Sequence, residues 1–367
     1  MSDPRRALAH PASSVTRRRF LHLSGMGVAA AFLAACGDDD SDGSGSNTTG
    51  AGAAGEGRAN LSSLQIGDFS PSYIPHWTYM SALSLGYMDE VGISEIETVV
   101  SDEYIAGLIS GSLDLAHGDT NVYLGSAEAS GEPLKMITFY RTSEWHIMGV
   151  REGIESADDL RGATVTGGPL EGRNNWVQRR ILNELGLDPD SDVQMVPTSG
   201  GADDRLAAVL TGTVDAASMF PRHRHALEEA GGQFLFEELT PAPQEAFGAM
   251  QGWLDENEDT AFAWVLGELR GRQWVKDPAN KEQAYTIMRD LGYEIPPEFE
   301  DLYDVELEQI SDDGGFEPDD MDQFISELVE SGDVPGGIEW RDHVDFTYLW
   351  AAQDELGLPR RPDPDSL

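Results

Sequence analysis

The apolar positions of this chain fall into short runs separated by polar turns that often carry glycine. Leu64–Asp68, Ile96–Val100, Leu113–His117, Lys135–Tyr140, His146–Val150, Ala163–Thr166 and Val193–Val196 read as strands. Between them Pro75–Gly86, Glu103–Ser110, Val122–Ala129 and Trp176–Leu185 carry helical spacing, and Gly131 and Gly186 supply stops. Phe247–Gln251 predicts a strand leading back, and the remainder is mainly helical. Strands alternating with helices predict parallel sheets joined by crossover helices.

One phrase occurs twice. Ile109–His117 reads Ile-Ser-Gly-Ser-Leu-Asp-Leu-Ala-His, and Leu210–Ser218 reads Leu-Thr-Gly-Thr-Val-Asp-Ala-Ala-Ser. Gly111, Asp114 and Ala116 recur as Gly212, Asp215 and Ala217, each 101 residues on. Each copy follows a glycine stop, a strand, a polar loop and a helix. Two copies are too few and too long for a solenoid. They predict two α/β lobes with a cleft between them, where small ligands bind.

The N-terminus is of another kind. Thr16-Arg17-Arg18-Arg19-Phe20-Leu21-His22 resembles a twin-arginine export signal. The apolar run Met26–Ala35 is shorter than the ~20 residues of a membrane span. Leu33-Ala34-Ala35-Cys36-Gly37 resembles a bacterial lipobox, which implies lipidation of Cys36 and cleavage before it. Residues 36–61 are Asp, Gly, Ser, Thr and Ala with almost no apolar bulk, a tether rather than a fold. The expected organisation is a signal peptide over 1–35, a linker over 36–61, lobe one over 62–140 and 245–367, and lobe two over 146–240.

Charge and cysteine narrow the functions. The chain holds 24 basic and 66 acidic residues, net −42; without residues 1–35 it holds 19 and 65, net −46. This argues against nucleic acid and anionic lipid surfaces as partners and is in keeping with a salty habitat. Cys36 is the only cysteine. The body therefore has no disulfide, thiol nucleophile or thiolate metal site. Gly-x-Ser-x-Gly and Gly-x-Gly-x-x-Gly are absent. His223-x-His225 follows Pro221 and reads as a helix start, so no metal or cofactor is expected.

Several phrases together carry a family resemblance. Gly86-Tyr87 with Gly92-Ile93, Ser110–Ala116, Ser156–Gly162, Gly212–Ala216 with Pro221, and Val344–Leu349 with Leu356-Gly357-Leu358 stand in order over about residues 62–360. They resemble type II periplasmic binding proteins of the group serving nitrate, sulfonate, taurine and thiamine-precursor uptake. The resemblance implies a two-lobed flytrap, each lobe a mostly parallel sheet flanked by helices. It implies a monomeric, lipid-anchored solute-binding component of an ABC importer, outside the cytoplasmic membrane, docking onto permease and ATPase subunits. An enzyme on the same fold, a pyrimidine-precursor synthase or a sulfinate-releasing hydrolase, is the alternative. Those relatives depend on cysteine-bearing motifs that this body lacks. The acidic stretch Glu300–Asp322 matches no family phrase.

Candidate ligand residues follow from the loops at strand ends. Gly172, Arg173 and Asn174 open a helix, where free N–H groups favour anions, and Arg173 could pair with an acid group. Ser72, Thr120 and Asn121 are the lobe-one counterparts. Tyr73 and Trp77 could stack on a ring. Arg141 lies by the hinge, and Phe220 and Arg222 end the second-copy strand. The solute expected is a small organic molecule with an acid or strongly polar group and an apolar or aromatic part.

The charge itself is testable. At net −46, added salt screens repulsion between exposed carboxylates. The melting temperature should rise from low salt up to molar salt. A flat or falling curve would contradict the halophilic reading.

Overall fold

The computed structural model describes residues 14–16, 59–68, 74–170, 172–293, 295 and 299–367. Cys36, Ser72 and Tyr73, the rest of the expected signal peptide and most of the expected linker lie outside the described residues.

The first part of the chain gives β1 (Ser14–Thr16), β2 (Ser63–Asp68), α1 (Ile74–Leu85), α2 (Tyr87–Glu90), β3 (Glu95–Val100), α3 (Tyr104–Ser110), β4 (Leu115–Asp119), α4 (Thr120–Ser130) and β5 (Leu134–Phe139). Then follow β6 (Ser143–Val150), β7 (Thr164–Thr166), α5 (Arg173–Glu184), β8 (Gln194–Met195), α6 (Ala202–Leu210), β9 (Ala216–Met219), α7 (Arg224–Glu229) and β10 (Gln233–Pro241). The return gives β11 (Glu245–Met250), α8 (Gln251–Glu256), α9 (Glu258–Lys276), α10 (Lys281–Asp290), α11 (Phe299–Leu307), α12 (Pro318–Ser331) and α13 (Thr347–Leu356). Among these described residues no helix is long and apolar enough to cross a membrane.

Two sheets result, in the orders β1-β3-β2-β4-β11-β5 and β10-β6-β9-β7-β8. Each is mixed. β3, β2 and β4 are parallel, as are β9, β7 and β8, while β11 and β6 run against both neighbours. β1, at the edge, also runs against β3. The two reversed strands inside the sheets are the ones that enter from the other lobe. Glu245 opens β11 opposite Asp119, which ends β4. Ser143 opens β6 opposite Pro241, which ends β10. The chain thus leaves and enters at the carboxyl ends of the parallel strands, so both crossings lie along the edge where open α/β sheets bind ligands.

The repeated phrase proves to be a joint. Gly111 and Gly212 both take φ of 71°, the left-handed turn that ends α3 and α6. Asp114 then accepts from the Gln65 N–H at 2.7 Å, and Asp215 from the Thr164 N–H at 2.8 Å. Each carboxylate holds the start of the adjacent strand, β2 or β7. The glycine and aspartate of the repeat therefore organise both lobes, while its last residues, His117 and Ser218, stand toward the strand ends.

Some boundaries differ from the sequence expectation. The strand read at Leu113–His117 lies two residues later, because Asp114 serves the joint. The residues between the expected strand and the helix expected from Val122 are the end of β4 and the first turn of α4. β10, nine residues long, was not expected. Its Glu237-Glu238 pair interrupts the apolar alternation, since the strand is an exposed edge.

The first lobe has one large core, in which α1 crosses α9. Gly271 makes that crossing possible: a Cβ there would stand 2.2 Å from the Thr78 carbonyl oxygen and 2.7 Å from Ala82 Cβ. Trp77 belongs to this core, edge-on to Tyr285 at 5.2 Å and tilted against Tyr303 at 5.2 Å. It is buried and is no cleft wall, which corrects the sequence reading. The second lobe packs one apolar cluster on each face of its sheet.

Gly271→Ala should destabilise the protein by about 1–3 kcal/mol through overpacking. Glycine to alanine in an open helix stabilises by up to about 1 kcal/mol instead. A urea midpoint that rises would contradict the tight crossing.

Candidate functional site

Lobe one ends its strands in a chain of buried charges. Asp68, closing β2, lies 2.9 Å from His76 Nε2 and 3.5 Å from His117 Nδ1. His117, on β4, reaches Glu245 with its other nitrogen at 3.2 Å. Glu245 faces Arg141 Nε at 3.2 Å, and Arg141 also donates to Gln309 at 3.0 Å and faces Glu306 at 3.5 Å. Burial alone would make His117 harder to protonate. The carboxylates of Asp68 and Glu245 outweigh it and raise the imidazole to about 10. His117 is therefore cationic at neutral pH and holds two acids together. Asp119, one turn of chain away, pairs with no described cation. Burial and the nearby Glu245 charge push its carboxyl up to about 7.

The junction of the lobes is clasped by Arg173. Its Nη2 donates to Glu144 at 2.7 Å and its Nη1 to Glu327 at 2.8 Å, with Phe324 beneath the guanidinium. Glu144 is on β6, but Glu327 and Phe324 are on α12 of lobe one. Burial would raise the Glu144 carboxyl; Arg173 and His146 outweigh that and hold it at about 2. Gly172 N–H donates to the Ser331 carbonyl at 3.3 Å, and Trp176 to Glu330 at 3.3 Å. The carboxyl end of α12 thus meets the amino end of α5, a favourable dipole arrangement. α11 lies against residues 221–223 of lobe two. The acidic stretch Glu300–Asp322 accordingly supplies elements that bridge the lobes.

Lobe two brings together a second set. Ser218 shares a sheet face with Ala216, toward α5. Its Oγ is buried without a hydrogen-bond partner, as are Asn175 Nδ2 and both amide atoms of Gln178 on α5. The Gly167 backbone admits α5 closely: a Cβ there would stand 2.6 Å from Asn175 Cα. Arg205, on the first turn of α6, is 3 % exposed. Its Nε donates to the Ser218 carbonyl at 3.0 Å. No described carboxylate lies within ion-pair distance of it. Burial and the Arg222 charge lower its pKa, with Asp203 giving only a small opposing pull. A shallow recess of 440 Å³, lined by Pro169, Leu170, Pro197, Thr198 and Ser199, adjoins this set through Gly168.

The residues singled out in the sequence are placed as follows. Arg141 and Arg173 lie at the lobe junction, each engaged by two carboxylates. Gly172 is engaged by α12, and Asn174 is exposed on α5. Thr120 is buried, its hydroxyl donating to the Pro243 carbonyl at 2.7 Å, and Asn121 follows it half-buried. Phe220 is half-buried at the end of β9, with Arg222 stacked 4.8 Å from its ring and 3.3 Å from Asp203. His223 is 3.0 Å from the same carboxylate; burial and Arg222 lower it to about 4, a neutral imidazole. His225 is exposed beside Glu229. Among the described residues no group of three or more His, Cys, Asp or Glu could hold a metal.

Sequence reasoning missed Arg205 and the Asp68–His117–Glu245 chain. Ala202–Leu210 looks like an ordinary amphipathic helix. A signal was present: Arg205 follows Asp203 and Asp204 on a helix start, where acids are favoured and a cation is not.

Comparison with known proteins agrees with this architecture. Residues 151–289 match the model of the NMT1-like family. Over 292 residues the chain is 24% identical to "Putative binding protein YtlA" of Bacillus subtilis (strain 168), covering 75% of this chain and 84% of that one. The periplasmic nitrate-binding protein NrtA from Synechocystis PCC 6803 superposes with a TM-score of 0.59 at 17% identity, over 84% of this chain and 93% of its own. This chain has the periplasmic binding protein fold. The periplasmic aliphatic sulphonate binding protein SsuA from Escherichia coli shares that fold at a TM-score of 0.53 and 18% identity, over 78% and 92%. So does the desulfurization enzyme DSZB, at 0.60 and 13%, over 81% and 100%. The periplasmic binding protein fold therefore carries both binders and an enzyme, and the site must decide between them.

The raised His117 makes a signed prediction. Its stabilisation is complete below the ordinary value of 6.5 and is lost as pH rises through about 10. Thermal stability should fall between pH 7 and 10. His117→Asn should cost up to about 3–5 kcal/mol at pH 7, since two buried carboxylates lose the cation they share, and should lessen that slope. An unchanged slope would contradict the ion-pair role.

Proposed function

We propose that this chain is the extracytoplasmic solute-binding component of an ABC importer, tethered to the outer face of the cytoplasmic membrane by a lipid on Cys36. It captures one small organic solute between its lobes and presents it to permease and ATPase subunits. The observation that carries this reading is the shared edge: both crossings and both sets of strand-end polar groups lie along it. Opening about two crossings exposes those groups, and closing buries a solute among them. NrtA and SsuA, which share the fold, are named for nitrate and aliphatic sulphonate. A sulfonate, a pyrimidine or a related nitrogen or sulfur compound is the class of solute proposed.

The enzyme reading is less well supported. His117, the most deeply placed imidazole of lobe one, is held protonated and cannot act as a general base at neutral pH. The only cysteine, Cys36, belongs to the expected lipobox.

Calorimetric titration with sulfonates, carboxylates, pyrimidines and amines should find one responding class at one molecule per chain. Chemical turnover of that compound would contradict the binder. Cys36→Ser should be exported yet released from membranes by a salt wash, and full retention would contradict the lipid tether.

A further inference from the structure

Lobe two has eight arginines, and seven of them, Arg151, Arg161, Arg173, Arg179, Arg180, Arg222 and Arg224, lie within 4 Å of a carboxylate. Arg205 does not. This occurs in a chain with 66 acidic residues, where a counter-ion is always near. The two acids beside it in sequence are turned elsewhere: Asp203 to Arg222 and His223, and Asp204 to the Gly201 N–H at 3.0 Å. Burying a guanidinium without a counter-charge costs several kcal/mol. A counter-charge carried by a bound solute would offset that cost.

The surroundings fit that supply. Gly168 takes φ of 110°, a conformation suited to glycine, and a Cβ there would stand 3.5 Å from Arg205 Nη1. Gly168 N–H is turned to Thr166 Oγ1 at 3.1 Å. Ser218 joins the two faces of the sheet: its carbonyl takes Arg205 Nε, while its hydroxyl lies unbonded on the face of Asn175 and Gln178. These side chains are more than nine-tenths buried, and each leaves donors without a partner.

Resting on the solute-binding reading above, we infer that the acid group of the solute is held in lobe two by Arg205, with the hydroxyl of Ser218 and the amides of Asn175 and Gln178 as further donors. The group is a carboxylate, sulfonate or phosphate, whose paired oxygens match the guanidinium fork. Arg173, the sequence candidate for this task, instead closes the lobes.

The test uses the exported full-length protein and its Arg205→Gln and Arg205→Lys variants. Titration with acetate, ethanesulfonate, phenyl phosphate, inorganic sulfate and benzylamine shows which charge is taken. We expect one organic acid to bind, and Arg205→Gln to weaken it about tenfold to a hundredfold, as loss of a charge-assisted bond of ~1.5–3 kcal/mol requires. Arg205→Lys should recover part of the affinity. Without ligand, Arg205→Gln should melt at or above the wild-type temperature, because an uncompensated buried charge is removed. A merely structural arginine would lower it. An acid that binds Arg205→Gln as tightly as wild type, sulfate as the only ligand, or binding of benzylamine alone would overturn the assignment and leave a solute-binding protein. No binding to wild type by any solute class would overturn the solute-binding reading itself.

Discussion

Buried arginines need a counter-charge, and that requirement orders this structure from the core outward. Cations are scarce here, 24 against 66 acids, so each buried one has a choice of partners. Arg272 is wholly buried in lobe one. It pairs with Glu268 at 2.7 Å and donates to the Phe139 carbonyl at 2.8 Å, fixing the end of β5 where the first crossing begins. Arg141 gathers Glu245 and Glu306 at that crossing. Arg173 gathers Glu144 and Glu327 between the lobes. Arg205 gathers no carboxylate among the described residues. The first three sit at the crossings and the lobe junction, and the fourth is the residue proposed to meet the solute.

The mixed sheets follow from the same edge. A strand entering from the carboxyl end of parallel neighbours must run against them, as β6 and β11 do. The hinge and the strand-end loops are thereby brought to one place without a long connection. Asp119 and Glu245 stand on adjacent strands there, with Glu144 at the mouth of the next lobe. Lobe one's strand ends are accordingly rich in carboxylate, while in lobe two Arg205 has no carboxylate partner among the described residues. On the proposed reading, this difference would orient a solute that bears an acid group.

Much of the architecture was legible from short apolar runs and glycine stops, because each lobe repeats one joint. Gly111 with Asp114 and Gly212 with Asp215 are local chemistry, and local chemistry shows in sequence. The site was less legible because its partners are distant. Arg173 and Glu327 are 154 residues apart, so no spacing rule joins them. Trp77 could not be told from a cleft aromatic until Tyr285 and Tyr303 packed on it. β10 was hidden by the acids of an exposed edge. Arg205 was hidden because a cation among helix acids reads as surface, and its sequence signal was weak beside its burial without a described carboxylate.

The central claim is that the two lobes close on a small acid whose charge Arg205 neutralises. A crystal structure of the protein with the solute identified by titration tests it most directly. The account predicts one molecule between the lobes, with an acid oxygen about 2.7–3.2 Å from Arg205 Nη1 or Nη2. A solute seated away from Arg205, with no acid oxygen on its Nη atoms, would contradict it.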